Sequence, residues 1–184
     1  MNIARTRIFA ISTLFAASGL IFGCSSTESK SPDVTGSIRT ALDQAGLKDV
    51  SVSQDRVKGV VTLNGTTASD ADRLQAETIA KAMAGSQVVA DQIAVRPPGD
   101  ESTAKKVDSA LDEGIEKNLE AQLLLNKMIH DVKYDVKNGV VTLTGELNST
   151  AKRARAEKLA SDVPNVRQVV NKIEVKNMKA TSTM

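Results

Sequence analysis

Two stretches of the chain carry the same alternation of apolar and polar positions. Val50 and Val52 in the first, and Val132, Tyr134 and Val136 in the second, recur at every other residue, as strands require. Lys58-Gly59 and Asn138-Gly139 come next, read as two-residue hairpin turns, with Asn-Gly the stronger because both residues tolerate positive φ. The return strands place Val61 and Leu63, and Val141 and Leu143, on one face. Gly65 and Gly145 close those strands and allow a sharp exit, and Ser69 and Ser149 are placed to cap the next helices. The period then changes. Ala76, Ile79, Ala80 and Met83 recur at helical spacing, as do Ala156, Leu159, Ala160 and Val163. Last strands are predicted over Val88–Val95 and Val169–Val175. Helices are predicted ahead of the hairpins, over about Pro32–Ala45 and Thr103–Lys127.

The two stretches are copies of one unit. At an offset of 80 residues, Gly59–Gly65 matches Gly139–Gly145, and the register holds through Ser69/Ser149, Arg73/Arg153, Glu77/Glu157 and Ile93/Ile173. Between 59 and 95, 15 of 37 positions are identical, which makes the chain a tandem repeat. Each copy reads αββαβ. The strand–helix–strand part implies a right-handed crossover and a parallel pairing. The fold class is α+β: two tandem domains, each a small three-stranded mixed sheet with two helices on one face. Arg96-Pro97-Pro98-Gly99-Asp100 has the composition of a linker. The boundaries are therefore 32–96 and 103–178, with a linker at 97–102 and a frayed end at 179–184.

The N-terminus reads as an address. Arg5 and Arg7 precede a 15-residue apolar stretch, Ile8–Phe22, shorter than the roughly 20 residues of a membrane span. Ile21-Phe22-Gly23-Cys24 resembles the lipobox of bacterial lipoproteins, which implies a signal peptide over 1–23 and acylation at Cys24. The polar residues after it, to position 31, fit a tether. Ser25 after the cysteine points, by the same resemblance, to an outer-membrane anchor facing the periplasm.

Composition narrows the chemistry. The chain of 184 residues has 24 basic and 22 acidic side chains, and without Arg5 and Arg7 the rest balances, which argues against a nucleic-acid partner. Phe9, Phe15 and Phe22 lie near the N-terminus and Tyr134 is the only later aromatic, so no platform exists for stacking bases. Cys24 has no disulfide partner, and with His130 it makes too small a set for a zinc site. His130 reads as a surface residue. No phosphate loop or nucleophile elbow is present, so neither an enzyme nor a cofactor is expected.

Asn138–Gly145 (NGVVTLTG), the spacing Arg153/Ala156/Glu157/Ala160 and the closing Val169/Asn171/Ile173/Val175 resemble the BON domain family. The first copy departs at Lys58 and at Asp91, where the pattern has Asn. The resemblance covers about 31–96 and 103–178. It implies a dual-BON outer-membrane lipoprotein, related to osmotically induced periplasmic proteins. It also implies a non-enzymatic role: binding phospholipid, especially anionic head groups, and supporting envelope integrity under stress. A scaffold for envelope proteins or cell wall, touching membrane only through the acylated cysteine, is the alternative.

Charge locates the candidate surface. Residues 31–98 carry 7 basic and 8 acidic side chains, and residues 102–179 carry 14 and 11. Lys152, Arg155 and Lys158 form a stripe of cations one helical turn apart, where the first copy has Asp72, Gln75 and Thr78. Arg153 matches Arg73 and reads as structural. Leu119, Leu123 and Leu124 belong to a helix with more apolar surface than one stripe needs, and are candidates for lipid contact.

Overall fold

A computed structural model describes residues 30–176, so Cys24, the signal segment and the frayed end lie outside the described residues. The first unit runs α1 (Thr35–Gln44), β1 (Val50–Asp55), β2 (Val60–Thr67), α2 (Asp70–Ala84) and β3 (Val88–Val95). The second runs α3 (Glu101–Leu125), β4 (Val132–Lys137), β5 (Val140–Leu147), α4 (Thr150–Ser161), β6 (Gln168–Asn171) and β7 (Glu174–Val175). In the first sheet β2 is the middle strand, antiparallel to β1 and parallel to β3. In the second, β5 is antiparallel to β4 and parallel to β6 and β7.

Odd-numbered positions of β2, β3, β5 and β6, and even-numbered ones of β1 and β4, meet the helices. Val61 and Leu63 are fully buried against Ile38 and Leu42 of α1 and Ala76 and Ala80 of α2. Val141, Leu143, Leu119, Leu123, Ala156 and Ala160 repeat this packing in the second unit. The alanines let the crossover helix lie close to its sheet. Ser69 and Ser149 hold extended backbone and accept from the N–H of Asp72 and Lys152 at 3.2 Å, which starts α2 and α4 where the sequence predicts.

Three details differ from the sequence reading. Met83 is exposed, and Ala84 takes the last buried place on α2. The first hairpin closes through four residues, Arg56–Gly59, and Asp55 steadies it by accepting from Lys58 N–H at 3.0 Å. The second closes through two, with Asn138 and Gly139 at φ +50° and +75°, so its stronger turn signal gives the tighter turn. The closing strand of the second unit is split into β6 and β7, both on β5, with Lys172 and Ile173 between them.

Even-numbered positions of β2, β3, β5 and β6 meet the other unit. Val60 and Ala90 pack on Val140 and Val170, their counterparts at the repeat offset. The molecule is thus layered helix, sheet, sheet, helix, with one unit's sheet covering the other's open face. Polar contacts ring this small apolar centre. Lys58 pairs with Glu174, Lys172 Nζ lies 3.4 Å from Asp55, Lys137 Nζ donates to Asn64 Oδ1 at 2.6 Å, and Asn138 Nδ2 donates to Gln92 O at 2.7 Å. The first half of α3 is fastened as well: Asp108 pairs with Arg96, and Asp112 accepts from Asn138 and Gly139 N–H at 2.8 Å each.

Candidate phospholipid-binding corner

α3 presents Ile115, Leu119 and Leu123 at four-residue spacing, and all three are buried. Leu119 and Leu123 are therefore core residues, contrary to their candidacy for lipid contact. A helix turns about 100° per residue, so the next two positions swing outward. Leu124 is 61% and Leu125 77% exposed. The helix then ends in a Schellman motif: Met128 N–H reaches Leu123 O at 2.8 Å and Lys127 N–H reaches Leu124 O at 3.0 Å. Lys127 occupies the left-handed position of that motif, at φ +56°.

α4 delivers two of the three predicted cations to this end of α3. The Arg155 guanidinium donates twice to Asn126 Oδ1, at 2.6 and 3.1 Å, which fixes it beside the helix terminus. Lys152, Arg155, Lys127 and Leu125 line a groove of about 390 Å³ with Met128 and Leu147 in its wall. Asp131 is the one carboxylate lining it. Lys158 does not join them. Its ammonium lies 2.9 Å from both oxygens of Asp162 and it lines a different groove, between α4 and β6. The stripe read from the sequence is therefore split. Arg153 donates to Asn171 O at 3.1 Å, next to the place where Arg73 meets Asp91 in the first unit, in keeping with a structural role. His130 is exposed.

The first unit supplies an internal control. Its α1 ends in the same motif, with Leu47 N–H to Leu42 O at 2.9 Å and Gly46 N–H to Asp43 O at 3.1 Å. The hydrogen bonds align Asp43, Gln44, Ala45 and Gly46 with Leu124, Leu125, Asn126 and Lys127. Two exposed leucines and a lysine thus stand where the first unit has polar or small residues. The leucine run 123–125 contains the exposed pair, but sequence reasoning misses Lys127 because the clear repeat register begins only at residue 59. The offset changes to 81 at this helix end, because the two hairpins and the loops ahead of them differ in length, so it is the hydrogen bonds that set Lys127 against Gly46.

The BON domain family model matches residues 31–97 and 106–177. The chain belongs to the BON family. Over 153 residues this BON protein is 31% identical to the osmotically-inducible protein Y of Escherichia coli (strain K12), a match covering 78% of the chain and 71% of the relative. Among solved structures it is similar to two of CdsD, a structural protein of the type III secretion system of Chlamydia trachomatis. One, of the C-terminal domain, has TM-score 0.32 at 15% identity, covering 78% of this chain and 66% of that one. The other has TM-score 0.35 at 14% identity, covering 80% and 94%. No helix among the described residues is long and apolar enough to cross a membrane, and no group of His, Cys, Asp or Glu among them could hold a metal ion.

Proposed function

We propose that this BON protein is a lipid-anchored envelope protein of the osmotic-stress class whose second domain docks on anionic phospholipid. The relative named for osmotic induction supports the setting. The observation that carries the lipid reading is the corner itself: Leu124 and Leu125 exposed beside Lys127, Lys152 and Arg155, with no such group at the matching place in the first domain. Cations near an anionic bilayer gain about 1 kcal/mol each. Three of them give about 3 kcal/mol, roughly a hundredfold in affinity. The leucines add apolar burial at about 25 cal/mol per Å² once they enter the acyl boundary. With no Trp or Tyr at this corner to hold a deeper position, the contact is shallow. Acylated Cys24 keeps the domain near its bilayer, so a weak corner contact suffices.

The test is sedimentation of residues 25–184 with vesicles of phosphatidylglycerol or of phosphatidylcholine. Binding to the first alone, lost in high salt, is expected. Equal recovery in the supernatant with both vesicles overturns the lipid reading and leaves a scaffold held only through Cys24. Anchoring is checked separately: Cys24→Ala abolishes labelling by a fatty-acid analogue in cells.

A further inference from the structure

We propose that the groove between α4 and β6 is a docking site for an extended segment of a partner protein, which pairs as a strand with the free edge of β6 and offers an acidic side chain to Lys158 and Arg167.

β3 and β6 are the outer strands of their sheets. In a parallel ladder, alternate residues turn both N–H and C=O toward the same neighbour. Val88 and Arg96 donate to β2, so Val89, Asp91 and Ile93 turn their backbone groups outward. Gln168 and Lys172 donate to β5, so Val169 and Asn171 do the same at β6.

The edge of β3 is sealed by the other domain. The Gln168 side-chain amide accepts from Asp91 N–H at 3.1 Å and donates to Val89 O at 2.7 Å. Arg167 donates to Asp91 O at 3.0 Å, and the Asp91 carboxylate accepts from Ile93 N–H at 3.1 Å. A carboxamide has the donor and acceptor of a peptide group. Gln168 thus occupies the place of one peptide unit of an added strand, and Arg167 and Gln168 line the groove of about 360 Å³ beside α2.

At the matching edge of β6, Arg153 covers Asn171 O at 3.1 Å and the Asn171 side chain takes Ile173 N–H at 3.1 Å, but nothing stands in for the Gln168 amide at Val169 O and Asn171 N–H. By the repeat offset, Gln168 corresponds to Val88, which has no amide and is 47% exposed. Gln87 is engaged by Gln54 and Pro32 in its own domain. Among the described residues, Val169 N–H and C=O have no hydrogen-bonded partner, and Val169 is half-buried where Val89 is 4% exposed. The groove beside this edge measures about 650 Å³, and all its lining residues belong to the second domain.

Its chemistry selects the occupant. An unpaired edge takes extended backbone, and side chains on alternate residues of the guest supply selectivity. Ala154, Val166 and Val169 offer an apolar wall for one such side chain. Lys158 and Arg167 outnumber Glu157 among the charges lining the groove; Lys158 is paired with Asp162 but its side chain stays 74% exposed, and Arg167 meets the uncharged Asp91 O. A second copy pairing edge to edge would bring that basic rim against itself, so an acidic segment is favoured.

The test uses the full chain, ¹⁵N-labelled, and two pools of acetylated hexapeptides with valine at alternate positions and either Asp or Lys between. The Asp pool is expected to slow amide exchange at Val169 and Asn171. N-methylation of the guest's pairing amides should weaken binding by about tenfold per lost hydrogen bond. Val169→Pro should abolish the effect and lower the melting temperature no more than Val169→Ala, which keeps the N–H and the binding, because that N–H has no ladder bond to lose and both variants lose the same core contact. Lys158→Glu should shift preference to the Lys pool. No response at Val169 to either pool, equal binding of N-methylated peptides, or protection that rises with protein concentration alone would each overturn the proposal.

Discussion

Arg73 Nη1 stands 2.6 Å from Asp91 Oδ2, tying the start of α2 to the middle of β3. Both side chains are largely buried. Burial works against the Arg73 charge, yet the hydrogen bonds it donates to Asp91 and then Asp70 outweigh it and push the guanidinium pKa above its ordinary value. The second domain has Asn171 in the place of Asp91, and its Oδ1 likewise accepts the N–H two residues on, at 3.1 Å from Ile173. Asp91→Asn is expected to keep that backbone bond and lose the ion pair. Asp91→Ala loses both and leaves Arg73 paired with the exposed Asp70 alone, and breaking a buried pair costs about 3–5 kcal/mol. Chemical denaturation should therefore rank wild type above Asp91→Asn, and that above Asp91→Ala. Equal stability of the two variants would show that the carboxylate's second bond is idle.

Gly65 and Gly145 hold φ +118° and +123°, in a region L-residues rarely adopt. A Cβ at either would press into backbone, the carbonyl of Asp49 or of Asp131. Gly65→Val and Gly145→Val combine backbone strain with a clash that no rotamer relieves. Each is expected to cost more than about 2 kcal/mol. In units of this size that lowers melting by about 10 °C, readable by circular dichroism.

The elements are legible in the sequence because local signals agree with the fold. Asn138-Gly139 demands a two-residue turn, Ser69 and Ser149 cap the helices they precede, and Val61 and Leu63 alternate toward the core. The even face is not legible. Val60, Ala90, Val140 and Val170 are apolar, but alternation shows only that a second surface must cover them, not that each copy covers the other. Leu119 and Leu123 mislead for a related reason. A leucine run says that some side chain leaves the core, and only the α3 phase, set by packing on β4 and α4, decides that it is Leu124 and Leu125. The split of the cationic stripe depends on Asn126 and Asp162, partners whose reach no spacing rule contains.

Acid should loosen the contact between domains. Burial pushes the Asp55 carboxyl up, but the Lys58 backbone N–H and the Lys172 ammonium hold it below its ordinary value. Lys58, by hydrogen bond and charge, does the same for Glu174 across the interface. Groups depressed in the folded state stabilise it fully above their ordinary range, about pH 4–4.5, and cease to as pH falls through the lower folded values. Magnetisation transfer between methyl groups of Val60 and Val140 should therefore persist at pH 6 and weaken as pH drops below about 4. In the double variant Asp55→Asn, Glu174→Gln the same signal should be weaker at pH 6 and change less on acidification. Parallel pH profiles would remove these two pairs from the interface's stability.

Lys127 separates stability from binding. It holds φ +56° in the position where the first domain uses Gly46 at φ +81°, and a left-handed lysine costs roughly 1 kcal/mol that glycine avoids. Nothing in the core asks for it: Lys127 is exposed, and the Schellman hydrogen bonds are backbone bonds that glycine also makes. A strained residue kept at a solvent-facing position is accounted for by what its ammonium does beside Lys152, Arg155 and Leu125. Lys127→Gly should therefore leave the melting temperature unchanged or raise it, and weaken binding to phosphatidylglycerol vesicles by about fivefold, the share of one cation near an anionic surface. The reverse change in the first domain, Gly46→Lys, should lower melting and leave vesicle binding nearly as it was, since Asp43 and Gln44 stand there in place of the exposed leucines, and Asp72 and Gln75 in place of Lys152 and Arg155. Lys127→Arg keeps charge and strain and should bind as wild type does. If Lys127→Gly melts higher and binds equally well, the lysine is not part of the lipid contact, and the remaining affinity must be sought at Lys152 and Arg155.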